Sequence, residues 1–267
     1  MPRRTTVVRV TQTPPARDDP PVPASLPPPQ TMALDVGLVR DLGPTFREIR
    51  LQGAALYGFR FAPGQDLMLR LPWGNGELVS RRYTFRRADP VAGTADLNVV
   101  MHGDGPAPRW AQSVRPGQTL QEAVGPRGKI TLDAAAEWHL FIGDETYVPG
   151  TLAMLEALTP EALAGAVLEV PDAADEQPFA SQPSKEIRWL HRHAAAPGDP
   201  RRLVEALRGW HSPPGRGHVY IAAELRVALA LRDELLAQGF PRNQISAKGY
   251  WSRERANAIR GEPDDLT

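Results

Sequence analysis

The hydrophobic pattern of the first half of the chain predicts strands. Between residues 32 and 132, apolar residues come in short alternating runs separated by Gly and Pro, as in antiparallel sheets. These runs are MALDVGLVRDL, TFREIRLQG, DLMLRLPW, RRYTFRRAD, TADLNVVMHG and QTLQEAV. Six strands at this spacing predict a small antiparallel barrel. One helix is predicted among them, from Pro106 to Val114, because proline favours the first helical turn.

The pattern changes near Glu137, where strands begin to alternate with helices. The predicted strands are WHLFIGD, AGAVLEVPD, EIRWLHR, GHVYIAA and QISAKGYW. Between them lie the helical segments TLAMLEAL, Pro200–Arg208 and ELRVALALRDELLAQG. Such alternation predicts a parallel sheet with helices on its faces. The predicted fold class is therefore a six-stranded antiparallel barrel followed by a small α/β domain.

Proline marks the predicted boundaries. Residues 1–30 hold nine of the 28 prolines, so we expect an extended or disordered tail there, with local pairing of Thr6 to Val10 or docking to a partner as alternatives. The barrel is assigned to 31–134, the α/β domain to 135–257 and a second tail to 258–267. The start of the chain lacks the apolar segment of a secretory signal, so a cytoplasmic protein is expected.

Composition restricts the chemistry. The 267 residues include no cysteine, which excludes disulfides, zinc–thiolate sites, protein-ligated iron–sulfur clusters and thiol nucleophiles. Redox chemistry would therefore need a bound organic cofactor. The 31 basic residues balance 31 acidic ones, and no apolar run is long enough to span a bilayer, so we expect neither a nucleic-acid nor a membrane partner. The scattered histidines predict no metal site.

The strongest local feature is a basic strand from Arg81 to Arg87, with four arginines and no acid in seven residues. Alternation directs Arg81, Tyr83 and Phe85 to one face and the intervening residues to the other. Arginine can hold phosphate, tyrosine can stack on a ring, and threonine can bond to a ring nitrogen. The strand therefore suits a flat anionic cofactor, with an ordinary charged strand as the alternative.

Three further segments could contact a ligand. His102–Ala111 is a glycine-rich turn that runs into a helix start, where backbone N–H groups can hold phosphate. Gly143–Thr146 follows an apolar strand, at the edge where open α/β sheets bind ligands. Lys248–Trp251 places a cation beside two aromatic residues. Each could also be an ordinary turn, cap or strand end. The P-loop, the G-x-S-x-G elbow, H-E-x-x-H and G-x-G-x-x-G are all absent.

In this order, the segments closely resemble the siderophore-interacting protein family of flavin-dependent ferric-siderophore reductases. The family motifs R-x-Y-T-x-R, H-G-x-x-G-P-A-S-x-W-A, G-P-R-G, G-D-E-T-A-L-P-A, W-x-x-R, A-G-E and G-Y-W-R have counterparts between residues 81 and 251. The resemblance implies an FAD-binding barrel, an NAD(P)H-binding α/β domain and a small-molecule substrate, the ferric siderophore.

The resemblance also implies residue roles. Tyr83 and Thr84 would be catalytic, with Thr84 beside the reactive flavin nitrogen. The implied FAD contacts are Arg81, Tyr83, Thr84, His102, Gly103, Pro106, Ala107 and Trp110. The implied nicotinamide contacts are Gly143, Asp144, Glu145 and Thr146. The hypothesised substrate contacts are Arg86, Lys248, Tyr250 and Trp251.

The sequence departs from the family pattern at several positions. Pro108 replaces a serine beside the expected pyrophosphate, and Ser252-Arg253-Glu254 replaces R-x-G. Tyr147 begins Y-V-P-G in place of A-L-P-A, and we expect its ring to obstruct the nicotinamide. Ala223 replaces the glycine of A-G-E, where a methyl group would crowd a close backbone approach. These changes favour flavin binding over NAD(P)H turnover.

Three functions remain open from the sequence. The first is reduction of a ferric siderophore by NAD(P)H through FAD, which releases ferrous iron. The second is a non-redox step, such as a cyclisation in a biosynthetic pathway, on a scaffold that keeps flavin. The third is binding of a chelate or partner without turnover.

Overall fold

The computed structural model describes residues 28–253 except positions 75, 102, 181 and 183. The predicted Thr6 to Val10 pairing, most of the N-terminal tail and the C-terminal tail lie outside the described residues. So does His102. Within the described part of the chain, no helix is long and apolar enough to cross a membrane.

The first half forms the predicted barrel. Its six strands are antiparallel and close in the order β1-β2-β5-β4-β3-β6. Their bounds are Gln30–Asp41 (β1), Phe46–Gln52 (β2), Asp66–Trp73 (β3), Glu77–Asp89 (β4), Thr94–Val100 (β5) and Thr119–Arg127 (β6). Helix α1, Pro106–Ser113, lies between β5 and β6. Closure leaves no free sheet edge.

Alternation along the strands builds the barrel core. On β3, Leu67, Leu69 and Leu71 are fully buried, whereas the intervening side chains are partly exposed. On β4, Phe85 is buried in the same core and Tyr83 packs against it. The residues between them therefore point out of the barrel, as the two-residue period of a strand requires.

The second half forms a parallel sheet in the order β11-β10-β7-β8-β9. Its strands are Trp138–Gly143 (β7), Leu163–Val170 (β8), Lys185–His191 (β9), Gly217–Glu224 (β10) and Ile245–Trp251 (β11). Its helices are Val148–Ala157 (α2), Arg201–Arg208 (α3) and Leu225–Ala237 (α4). Short 3₁₀ turns occur at Ala54–Leu56, Glu145–Tyr147, Ala173–Asp175 and Arg242–Gln244. The predicted fold class is confirmed.

The two faces of the sheet pack against different parts of the molecule. Ile142 and Ile221 belong to a core that includes the apolar residues of α3 and α4. On the other face, Phe141 and Tyr220 share a core with Phe46 and Val100 of the barrel. Helix α2 also contacts β4. One sheet face is thus covered by α2 together with the barrel, and the carboxyl ends of the strands open toward the junction of the domains.

Candidate functional site

A cavity of about 830 Å³ lies between the barrel and the α/β sheet. This volume is typical of small-molecule and cofactor sites. Its wall combines β3, β4, β5, the turn before α1, the start of α2 and the end of β11. The predicted site residues on this wall are Arg81, Tyr83, Thr84, Gly103, Pro106, Ala107, Thr146, Lys248, Tyr250 and Trp251.

The cavity wall carries an excess of positive charge. Among the described residues, five basic side chains and two acidic ones line it: Arg81, Arg82, Arg127, Lys248 and Arg253 against Asp66 and Asp104. Such a wall favours an anionic ligand, because the potentials of neighbouring cations add inside a cleft. The zero net charge of the whole chain hides this local excess.

Asp66 organises the basic side chains from inside the wall. Its carboxylate accepts two hydrogen bonds from Arg82, at 2.8 Å from Nε and 2.6 Å from Nη2. Lys248 Nζ lies 3.9 Å from the same carboxylate and 5.7 Å from the Tyr250 ring centroid. Because Asp66 and Lys248 come from different domains, their attraction holds a cation of β11 against the barrel wall.

A polar contact also joins the two domains at the predicted catalytic position. The Thr84 hydroxyl lies 3.2 Å from the Tyr250 hydroxyl, and either group can donate. The Tyr250 ring meets the Tyr147 ring edge-on, at 5.7 Å between centroids. Thr84 is therefore held from the side of the α/β domain, with its hydroxyl at the cavity wall.

The turn before α1 offers backbone donors. Gly103 has φ +73°, and a Cβ there would meet nothing within 4 Å, so the backbone is open on that side. Pro106 and Pro108 have no N–H, and the Arg109 N–H bonds to the Gly105 carbonyl at 3.2 Å. The N–H groups of Gly105 and Ala107 have no backbone partner among the described residues and remain as donors at the helix start. The substitution at Pro108 thus removes one phosphate donor.

Asn98 is a cavity residue that the sequence analysis missed. It lies on β5, is only 5% exposed, and its Oδ1 has no hydrogen-bond partner among the described residues. Buried polar atoms are nearly always paired, so an unpaired acceptor on a cavity wall indicates a ligand. Its sequence signal is a polar residue that alternates with Asp96 in a short strand, a pattern too common to single it out.

These features fit FAD. A dinucleotide with a flat ring needs a long cavity, cations and backbone donors for its phosphates, and polar partners for its ring and hydroxyls. The wall supplies arginines and the Gly105 and Ala107 amides for the phosphates. It also supplies Tyr83, Thr84 and the Asn98 acceptor for the flavin.

Comparison with known families agrees with this geometry. Residues 70–130 match the siderophore-interacting FAD-binding domain, and residues 136–254 match the siderophore-interacting protein model. The chain belongs to the siderophore-interacting protein family. The resemblance seen in the sequence motifs is confirmed.

Individual relatives support the family and its fold. The ferric vibriobactin reductase ViuB of Vibrio cholerae is 30% identical over 189 residues, covering 68% of this chain and 67% of ViuB. A siderophore utilization protein from T. fusca is 28% identical, with a TM-score of 0.77, covering 91% of this chain and 98% of that one. A ferredoxin NADP⁺ reductase from Neisseria gonorrhoeae, with bound FAD and NADP, has a TM-score of 0.63 at 15% identity. The match covers 83% of this chain and 99% of that one, and at this identity it shows the fold alone.

Two predicted site residues of this family member are engaged elsewhere. Arg86 does not line the cavity: it is buried and donates two hydrogen bonds to Glu156 of α2, at 2.7 and 2.6 Å. Glu145 is fully buried and accepts two bonds from Arg192, at 2.6 and 2.7 Å. Each charge is paired inside the protein, as a buried charge requires, and the predicted contacts with substrate and nicotinamide stay predictions.

Asp144 ties strand ends together beneath the cavity. Its carboxylate accepts hydrogen bonds from the Thr146 backbone and hydroxyl, from the Glu224 N–H at 2.7 Å and from the Trp251 indole at 2.8 Å. Burial, aided by the charge of Glu145, raises the pKa of Asp144 to about 6. The carboxylate therefore positions Thr146 and Trp251 and does not itself reach the cavity wall.

Gly143 and Trp110 also lie away from the cavity wall. A Cβ on Gly143 would lie 2.0 Å from the Ala222 carbonyl oxygen, so glycine is needed where β7 approaches β10. Trp110 packs into the barrel core and anchors α1. In this structure Gly143 supports the strand end and Trp110 supports the helix, and their predicted cofactor contacts stay predictions.

The two departures expected on the nicotinamide side do not project into the cavity. Tyr147 is fully buried, and its hydroxyl contacts Met154 Sδ at 3.7 Å. A Cβ on Gly150 would lie only 3.1 Å from the Tyr147 ring, so the missing side chain of Gly150 leaves space for the ring. Ala223 is buried in the core with α4. The expectation that Tyr147 obstructs the nicotinamide is wrong, because Gly150 makes room for the ring inside the protein.

Proposed function

We propose that this protein is an FAD-dependent reductase that passes electrons from NAD(P)H to a ferric siderophore, and thereby releases ferrous iron. The observation that carries the proposal is the cationic cavity between an FAD-binding barrel and an α/β domain of this family. The name of the similar ViuB, a ferric vibriobactin reductase, supports this substrate class.

The residues that would hold FAD are on the barrel side. Arg81 and the turn from Gly103 to Pro106 would bind the pyrophosphate, and Tyr83 would stack on the ring system. The chemistry that FAD supplies when bound is the conversion of a two-electron donor into one-electron transfers. Thr84 would present its hydroxyl to the ring, in an orientation held by Tyr250.

The α/β side would take the reductant and the substrate. Thr146, Pro149 and Leu225 line the cavity where the strands end, which is the usual ligand edge of a parallel sheet. Lys248 would attract the anionic chelate, since Asp66 and Tyr250 hold its ammonium group at the wall. Reduction weakens the affinity of hard oxygen donors for iron, so the product would leave as ferrous iron.

The experiment is an anaerobic titration of the purified protein loaded with FAD. NADH or NADPH should bleach the visible flavin absorbance, and a ferric siderophore should then restore it while a ferrous indicator develops colour. A flavin that neither nucleotide bleaches, or a reduced flavin that ferric chelates do not reoxidise, would contradict the proposal.

A variant pair tests the substrate side. Lys248→Met should raise the KM for an anionic ferric chelate about tenfold, the value of one charge-assisted hydrogen bond, and leave flavin reduction unchanged. Lys129→Met is the control, because Lys129 is exposed and does not line the cavity. Equal effects of the two substitutions would rule out Lys248 as a substrate contact.

The non-redox alternative has less support than the reductase. It rested on the altered residues near the nicotinamide and on the proline-rich tail. Of the altered residues, Tyr147 and Ala223 lie in the core, whereas Ser252 and Arg253 line the cavity. Simple binding without turnover is tested by the same titration, since a binding protein would leave the flavin oxidised.

A further inference from the structure

Asn98 presents an unused hydrogen-bond acceptor to the cavity. Its Oδ1 is buried and unpaired among the described residues, and the side chain is on the cavity wall. An acceptor in this condition destabilises the fold unless a ligand satisfies it. Local rules are often broken where a protein binds something, so the residue points to a contact that exists only in the loaded state.

The position of Asn98 is set by the pairing of β4 and β5. Phe85 pairs with Leu97, and both side chains are buried in the barrel core. Thr84 and Asn98 are the next residues on the two strands and lie on the outer face, at the cavity. Asn98 is therefore a neighbour of the residue expected beside the flavin ring.

The groups around Asn98 already have partners. Asp96, two residues earlier on the same face, accepts two hydrogen bonds from Arg50, at 2.7 and 2.8 Å. Glu48 of β2, which pairs with Asn98 of β5, accepts a hydrogen bond from Arg40 at 2.9 Å. The Thr84 hydroxyl is engaged with Tyr250. Asp96 and Glu48 are acceptors and cannot donate to Asn98 Oδ1, and no described residue does, so the cavity is the remaining source of a donor.

We propose that Asn98 is a flavin-binding residue, whose side-chain oxygen accepts a hydrogen bond from an N–H or O–H of the flavin half of FAD. This rests on the cofactor of the proposed function. The isoalloxazine imide N–H and the ribityl hydroxyls are suitable donors. The ADP half also carries donors on its ribose and adenine, so the assignment to the flavin half rests on the position of Asn98 beside Thr84. The expected phosphate contacts are on Arg81 and the Gly103–Pro106 turn, whereas Asn98 adjoins Thr84.

The test compares Asn98→Leu with a matched control. Leucine has a similar volume and no acceptor, so the Kd for FAD should rise about five- to tenfold, as expected for one lost hydrogen bond. Asn98→Asp keeps an acceptor and should bind FAD more tightly than the leucine variant. Thr151→Val is the control, because Thr151 Oγ1 is also buried and unpaired among the described residues but is not on the cavity wall.

A second readout separates binding from folding. Both Asn98→Leu and Thr151→Val remove an unpaired buried polar atom, so the Tm of each apo protein should stay the same or rise. Only the Asn98 variant should then lose affinity for FAD and for FMN, and neither should lose affinity for ADP. A gain in apo stability together with weaker flavin binding is not expected of a residue that is merely structural.

The outcomes are distinct. Unchanged FAD affinity in Asn98→Leu, or an equal loss in Thr151→Val, would overturn the inference. A loss that ADP shares would overturn the assignment to the flavin half. Wild-type protein that binds no FAD would overturn both this inference and the proposed function. Wild-type protein that binds FAD but reduces no ferric chelate would overturn the proposed function alone.

Discussion

Gly150 and Tyr147 are expected to be energetically coupled. Replacing Gly150 of α2 by alanine would place a Cβ 3.1 Å from Tyr147 Cε2, 3.2 Å from Tyr147 Cδ2 and 3.3 Å from Thr84 Cγ2. All three distances are shorter than ordinary carbon–carbon contacts. The Tyr147 ring is fully buried, so it cannot move away without repacking the shared core of the two domains.

The magnitude follows from two opposing effects. Within a helix, alanine is more favourable than glycine by about 1 kcal/mol. Overpacking a tight core costs about 1–3 kcal/mol. Gly150→Ala should therefore lower the free energy of unfolding by about 1 kcal/mol. With Tyr147→Ala already present, most of the clash is gone, so Gly150→Ala should raise the free energy of unfolding by about 1 kcal/mol. The coupling is then about 2 kcal/mol.

The assay is a double-mutant cycle by urea denaturation, with flavin absent. Tyr147→Ala alone should cost about 3–5 kcal/mol, within the stability of a typical domain. Tyr147→Phe is the control background, because the ring remains and Gly150→Ala should be as costly as in the wild type. If Gly150→Ala has the same effect in all three backgrounds, Gly150 and Tyr147 are not energetically coupled.

Two further predictions concern charged groups. Arg86→Ala should lower the free energy of unfolding by about 2 kcal/mol in urea denaturation, because it leaves Glu156 without its main partner at the domain junction. Arg87→Ala removes an exposed pair at 3.4 Å and should lower the free energy of unfolding by less than about 0.5 kcal/mol. Equal effects of the two substitutions would contradict the importance of the buried pair. Hydrogen bonding from Arg216 lowers the pKa of Asp133 to about 2. The pKa of Asp133 is lower in the folded state than in the unfolded state, so its ionised carboxylate stabilises the fold above pH 4. This contribution to the free energy of unfolding is lost as the pH falls to 2. Asp133→Asn should therefore cost about 2 kcal/mol at pH 7 and almost nothing near pH 2, as denaturation across pH would measure.

Local sequence determined the elements and their class. Two-residue alternation predicted the barrel strands, and strand–helix alternation predicted the parallel sheet, because each pattern reflects which side chains the backbone period sends to the core. The sequence also located the basic β4 strand and the end of β11 as cavity walls. A glycine-rich turn, a run of arginines and a Lys-Gly-Tyr-Trp segment are local signals that need no tertiary information.

The partners of individual polar side chains were decided only by the tertiary structure. Arg86 and Glu145 looked like ligand contacts, yet each meets a charge from a distant segment and is buried with it. Asn98 looked ordinary and turned out to be an unpaired acceptor on the cavity wall. Strand periodicity determines the face on which a side chain lies. What it meets there depends on the packing of the second domain.

For the aromatic side chain of Tyr147, too, the sequence and the tertiary structure determined different things. From the sequence alone, its ring was expected in the nicotinamide site. In the structure, Gly150, three residues later, leaves space for the ring within the core. Each residue departs from the family pattern, and the pair fits together because the missing Cβ of one accommodates the ring of the other. The sequence determined that both positions changed, and only the packing of α2 against β4 showed that the two changes compensate.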